Sequence, residues 1–253
     1  MISTGDAVKA RRVAVLQSNY IPWKGYFDLI HDADVFVFYD DVQFTKSDWR
    51  NRNRIKTSQG TQWLSIPTGQ NIHQRIDEVE LINGAWQSRH WRTLLMNYGK
   101  CAHFDRYRDY FEHVYLGRQW RSLSELNQTL IRKISSDFLG IRTDFTDSSR
   151  YTLSGQKLDR LLGLLGQIGA TCYVSGPAAQ GYIVSERFSD RGIDLVWKDY
   201  GNYPEYSQRF PPFGHGVSIL DLLFNVGPEA PWYIWGWRDN ADRAGWCNGA
   251  VIR

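Results

Sequence analysis

VAVLQSNYIPWKGYFDLI, residues 13–30, decides the fold class. Val13-Ala-Val-Leu16 is a short apolar run of the kind that forms a buried strand. Tyr26-Phe-Asp-Leu-Ile30 reads as the helix that follows, with Pro22 and Gly25 setting the turn between them. Together they make a βα unit. A strand-to-helix turn needs little more than a breaker and a cap, yet this one carries Gln17, Asn19, Tyr20, Trp23, Lys24 and Tyr26. These residues supply amide donors and acceptors, hydroxyls, a stacking face and a positive charge. The turn follows the carboxyl end of a strand, where parallel sheets bind their ligands, so all six are substrate-binding candidates. The competing expectation is that Trp23 and Tyr26 pack under the turn while Lys24 stays in solvent.

Working outward, Asp34–Tyr39 is a β-branched and aromatic run that reads as a second strand, and Gln62–Ile66, before Pro67, as a third. From Ala85 to about Gly140 the period becomes helical. Trp91, Leu94, Leu95 and Tyr98 recur at helical spacing, as do Tyr107, Tyr110, Phe111 and Val114, and then Leu123, Leu126, Leu130 and Ile134. Alternation then resumes: an apolar helix face through Leu158, Leu161, Leu162, Leu165 and Ile168, strands at Thr171–Val174 and Asp194–Trp197, and a late helix at 218–224 with Ser218 as N-cap. Gly163, Gly166 and Gly169 form a small-residue stripe expected to let their helix lie close to a sheet. The expected fold is α/β, a mostly parallel sheet flanked by helices with a largely helical insertion or layer in the middle of the chain. One domain over 13–253, with a helical subdomain at 85–140 and a flexible segment at 1–12, accounts for the 253 residues.

The richest candidate chemistry lies in YDDVQFTKSDWRNRNRIK, residues 39–56. Asp40 and Asp41 follow a strand end, a common place for a carboxylate that anchors a hydroxyl or accepts a proton. Adjacent residues of an extended chain point opposite ways, so one of the two is expected to face the site. Lys46, Arg50, Arg52, Arg54 and Lys56 stand against the single acid Asp48. In an extended segment the arginines share one face and Trp49, Asn51 and Asn53 the other, and a guanidinium row suits phosphate or carboxylate. A solvated basic edge is the plainer alternative. Ser175, Gly176 and Tyr182 form a third candidate, a glycine-containing loop after a buried strand whose amides suit an anion. His90, beside Trp91, is the histidine selected for test. The first loop, the acid pair and the arginine-asparagine ribbon are expected to surround one cavity at one rim of the sheet.

Composition excludes several classes. Hydrophobic and charged fractions of 42% and 23% are those of a globular protein, and a formal charge of +3 is too small to imply nucleic-acid binding. Aromatic residues make up 15% of the chain, with 11 Trp and 14 Tyr, which suits flat surfaces for sugars, nucleobases or a pantetheine arm as well as core packing. Cys101, Cys172 and Cys247 share no metal-like spacing, and with the absence of an apolar leader or membrane-spanning run they point to the cytoplasm. The six histidines show no paired metal spacing, and no Walker loop or serine nucleophile elbow is present.

Four stretches, LQSNYIPWKGYFDLI (16–30), YDDVQFTKSDWRNRNRIK running on to QWLSIP (39–67), GATCYVSG with Tyr182, and SILDLLFN (218–225), resemble the WbqC-like family of bacterial proteins, from Val13 to about Gly227. The resemblance implies an accessory enzyme of surface-polysaccharide or natural-product biosynthesis. The associated activity is transfer of an acyl or aminoacyl group from a carrier-protein thioester to an amine or aminosugar. On that reading Asp40, Asp41 or His90 is the base. Gln17, Asn19, Gln43, Asn51 and Asn53 orient substrate, with Tyr20, Trp23, Tyr26 and Trp49 beside it, and Lys24, Arg50 and Arg52 hold phosphate. No metal or tightly bound cofactor is expected; the donor arrives on the phosphopantetheine arm of an acyl or peptidyl carrier protein. The alternatives are a nucleotide- or nucleotide-sugar-binding transferase of nucleotidyltransferase-like fold, and a non-catalytic carbohydrate- or carrier-binding module.

Overall fold

The computed structural model describes residues 10–238 except 72, 82 and 83. The amino-terminal segment expected to be flexible falls largely outside the described residues, as does Cys247. The central sheet has five strands in the order β5-β2-β1-β6-β7, namely Asp144–Asp147, Val35–Phe38, Arg12–Leu16, Cys172–Ser175 and Asp194–Trp197. Every pairing is parallel. Val13, Val15, Val35 and Val37 point to one face and Ala14, Phe36 and Phe38 to the other, the two-residue period of strands buried on both sides.

Helix α1 (Lys24–Asp32) packs on the phenylalanine face with α2 (Ala85–Tyr98), α3 (Phe104–Glu112), α4 (Leu123–Lys133) and α7 (Ile219–Val226). Helices α5 (Lys157–Ile168) and α6 (Glu186–Ser189) cover the valine face. The strand order leaves β1 in both directions, toward β2 on one side and β6 on the other, so the reversal of winding lies between β1 and β6. Crevices at the carboxyl ends of strands on either side of such a reversal are where open α/β sheets place ligands.

Two elements differ from expectation. Residues 52–65 do not join the sheet; Arg52–Thr57 (β3) and Gly60–Ser65 (β4) form a separate antiparallel hairpin inserted between β2 and β5. The glycine stripe is not a contact face: Gly163 and Gly166 are exposed, with nothing within 4 Å of a Cβ at either, and α5 reaches the sheet through Leu158, Leu161, Leu162, Leu165 and Ile168. Gly169 ends the helix at φ 72°, a left-handed position that suits glycine. No helix of the described residues is long and apolar enough to cross a membrane.

Candidate functional site

The loop after β1 stands at the winding reversal and is braced on every side. The main-chain amide of Ser18 donates to Asp40 Oδ1 at 2.7 Å, and Asn127 reaches the Ser18 carbonyl and that of Arg50, at 3.4 and 2.8 Å. Ile21 is held at φ 37°, a strained value for a β-branched residue. The buried amide of Asn53 stabilises that turn by donating to the carbonyls of Tyr20 and Ile21. The start of α7 clamps loop and hairpin together: Ile219 N donates to Pro22 O at 2.9 Å and Ser218 N to Arg54 O at 2.8 Å. Ser218 caps this helix as expected, accepting from Leu220 N.

Between loop and hairpin lies a cavity of about 220 Å³ lined by Asn19, Pro22, Trp23, Trp49, Asn53, Arg54 and Gly216. Gly25 makes it possible, because a Cβ there would sit 2.3 Å from the Trp23 indole that folds back over the helix start. The other side of Trp23 packs edge-on against Tyr200, ring centroids 5.2 Å apart. Asn19 Oδ1 and Arg54 Nε are buried without a hydrogen-bond partner. Since nearly all buried polar groups in folded proteins are paired, orphaned atoms on a cavity wall mark a place where a ligand supplies the partner.

The structure brings together the first loop and the arginine-asparagine ribbon, but the acid pair stands apart from the cavity. Asp40 is buried and engaged, accepting from Ser18 N, Ser124 Oγ and Gln128 Nε2. Asp41 points the opposite way, as adjacent strand residues should, to Ser148 and to Arg160 at 2.6 Å. His90 is buried under the loop, with Nδ1 2.8 Å from Tyr20 Oη and Nε2 3.2 Å from Ser65 O. Burial pushes its pKa down to about 4 against the pull of the Ser65 carbonyl. A neutral ring that donates from Nε2 must accept the Tyr20 hydroxyl at Nδ1, and Tyr20 is then free to accept from Tyr115, 2.6 Å away. All three residues named as bases are thus engaged by tertiary partners.

The remaining candidates divide as follows. Tyr26 is buried and donates to the carbonyl of Gln17, which follows β1. Arg50 is paired with Asp48, while Asn51 turns inward to Ile66 O. Arg52 and Arg54 share the outer face of the hairpin with Trp63, and Asn53 the inner face, as the alternation predicts, but Trp49, expected beside the asparagines, precedes β3 and lies with Arg54 and Trp63 instead. Gln43 is exposed and bridged to Arg75, and Tyr182 is 65% exposed. Ser175 is buried, and Gly176 contributes indirectly: a Cβ on it would lie 3.3 Å from the Tyr200 hydroxyl that backs Trp23.

Lys24 is not in solvent. It is buried at the first turn of α1, where the helix dipole disfavours a cation, with Nζ 4.7 Å from the Tyr203 ring and 3.4 Å from Pro204 O. Burial, opposed by Asp28, lowers its pKa to about 8. Sequence reasoning passed over His215, beside the cavity-lining Gly216. Its Nδ1 is buried without a partner, and burial followed by the charge of Lys24 lowers its pKa, so the ring is neutral at pH 7. Nothing in a lone histidine of a glycine-rich loop distinguishes it in sequence.

Asp28, His31 and Asp32 bring one ligand atom each within 4.8 Å of one another, a spacing a metal ion can use. Lys198, fully buried, already supplies the cation: its Nζ is 2.9 Å from Asp28 and bonded to Asp32, and Arg238 forks onto Asp28. Cys101 is half-buried, and burial pushes its thiol up to about 11, which leaves little thiolate at neutral pH.

A profile of the WbqC-like protein family matches residues 17–233, from the first loop through α7. The chain belongs to the WbqC-like protein family. The match takes in the loop, the hairpin and Gly216, so every wall of the cavity lies within the WbqC-like region. An uncharacterized protein of Mycobacterium tuberculosis is 48% identical over 226 residues, 88% of this chain and 97% of its own length. No solved structure matches the chain.

Proposed function

We propose that this WbqC-like protein is an acyl- or aminoacyltransferase that moves a group from a carrier-protein thioester to an amine, with the reacting centre in the cavity between the first loop and the hairpin. The observation that carries the reading is the pair of orphaned atoms, Asn19 Oδ1 and Arg54 Nε, on two residues that line that cavity. About 220 Å³ is below the usual span of whole-ligand pockets and accommodates the reacting end of an arm, not an entire donor. Attack of an amine on a thioester needs the amine neutral, an acceptor for its proton, and donors facing the developing oxyanion. The Arg54 guanidinium suits the oxyanion, the Asn19 carbonyl oxygen suits the attacking N–H, and neutral His215 takes the proton that the tetrahedral intermediate releases as the thiolate leaves.

Asp40, Asn53 and His90 act in this reading by holding the loop. The test is intact-mass analysis of loaded carrier proteins incubated with the protein and candidate amines. Loss of the carrier-bound group, matched by gain of the same mass on the amine, supports transfer. Saturable binding of the carrier with no mass change under any pairing would replace transferase with binding module.

A further inference from the structure

Beside the cavity, the outer face of the hairpin carries Arg52 and Trp63, which the transfer reading does not use, together with Trp49 and Arg54, which line both spaces. Trp49 and Trp63 are about two-fifths exposed, their ring centroids 5.5 Å apart with 40° between planes. The Arg52 guanidinium lies 4.2 Å from the Trp63 ring, and that of Arg54 sits between the two indoles, 5.5 and 5.8 Å from their centroids. Neither Arg52 nor Arg54 forms an ion pair with a carboxylate among the described residues, and the Nε of each is buried without an acceptor. Asp48, the acid beside them, is already taken by Arg50, Thr45 and the amide of Trp49.

Ser47, Asp48, Trp49, Arg52, Arg54 and Trp63 line a groove of about 280 Å³ that meets the deeper cavity along Trp49 and Arg54. Two uncompensated guanidinium groups favour a doubly charged anion, and planar indoles beside them favour a flat ring joined to that anion. A sugar without phosphate would leave both guanidinium groups unmatched, and an inorganic anion would leave both indoles uncovered.

We propose that the outer hairpin face binds a nucleoside phosphate, its base against Trp49 or Trp63 and its phosphates on Arg52 and Arg54. The remainder of the ligand then points across the shared wall into the cavity. The same chemistry occurs in the nucleotide half of a coenzyme A donor and in a nucleotide-linked sugar, and binding can be measured whether or not transfer occurs.

Calorimetric titration of the full chain with adenosine 3′,5′-bisphosphate and separately with uridine and thymidine diphosphates tests the site and separates its two sources. The expected result is saturable binding of at least one nucleotide, weakened tenfold or more by Arg52→Met and by Trp63→Ala, with melting temperatures unchanged. Neither of these residues lines the deeper cavity. The proposal is overturned if no nucleotide binds, or if both variants bind like the wild type. It is also overturned if inorganic pyrophosphate binds as tightly as the nucleotides, which would leave a plain anion site, or if a single-stranded oligonucleotide binds more tightly than any of them.

Discussion

The side-chain amide of Asn53 donates to the carbonyls of Tyr20 and Ile21, at 3.1 and 3.0 Å, and so ties the hairpin to the strained turn of the first loop. The bond pair matters because Ile21 keeps a φ of 37° only while its surroundings hold it there. Asn53→Ala strands two buried carbonyls, and the expected cost is about 2–4 kcal/mol. Urea denaturation measures it; a loss under 0.5 kcal/mol would mean the loop holds its shape without the hairpin.

Asp40 is a brace in this account. Asp40→Asn replaces an acceptor of three donors with a group that must turn a donor toward one of them. The expected loss of stability is about 1–3 kcal/mol, and ligand affinity should fall with it because Ser18 carries the cavity loop. Unchanged stability with turnover abolished would instead restore Asp40 as the base.

Acid should weaken the protein through His90. The unfolded ring takes a proton near pH 6.5 and the folded ring only near pH 4. Its contribution is therefore complete above pH 6.5 and is lost progressively as pH falls toward 4, up to about 3 kcal/mol. His90→Gln should be less stable at pH 7, through the altered bonds to Tyr20 and Ser65, and should show a shallower fall in unfolding free energy between pH 7 and 5. Parallel pH profiles for the two proteins would show that His90 is not the group responsible.

Of these relationships the sequence carries the local ones. Val13–Leu16 and Asp34–Tyr39 were legible because strands buried on both faces read as continuous apolar runs, and the polar cluster at 17–26 falls on the loop after β1 and the first turn of α1. Strand β5, DFTD, was missed because a short, half-exposed edge strand with acids at both ends has no apolar pattern. The fate of Asp40, Asp41 and His90 was not legible either, since Ser124, Arg160 and Tyr20 lie 70 or more residues away along the chain. A residue selected for its chemistry from local sequence alone is engaged here by partners that no local pattern announces.

Gly25 offers a probe of cavity shape independent of charge. Gly25→Ala puts a methyl group where the Trp23 indole now lies, so the ring must leave and the cavity loses a wall. The stability cost should be about 1–3 kcal/mol, with ligand binding lost well below the melting point. Retained binding would place the ligand elsewhere.

Lys198→Met tests the buried ionic layer under α1. Removal of the ammonium leaves Asp32 with His31 and Asp28 with Arg238, and a destabilisation of about 3–5 kcal/mol is expected. Thermal melts suffice to measure it, and a melting temperature equal to the wild type would show that the layer is already neutral.

The most direct test of the central claim is the transfer rate, by intact mass, of Asn19→Ala and Arg54→Met beside the wild type at matched melting temperature. A reacting centre between the first loop and the hairpin predicts a fall of about a hundredfold or more in at least the arginine variant, the scale of losing a preorganised oxyanion donor. Wild-type rates in both variants would place the chemistry elsewhere and contradict the account.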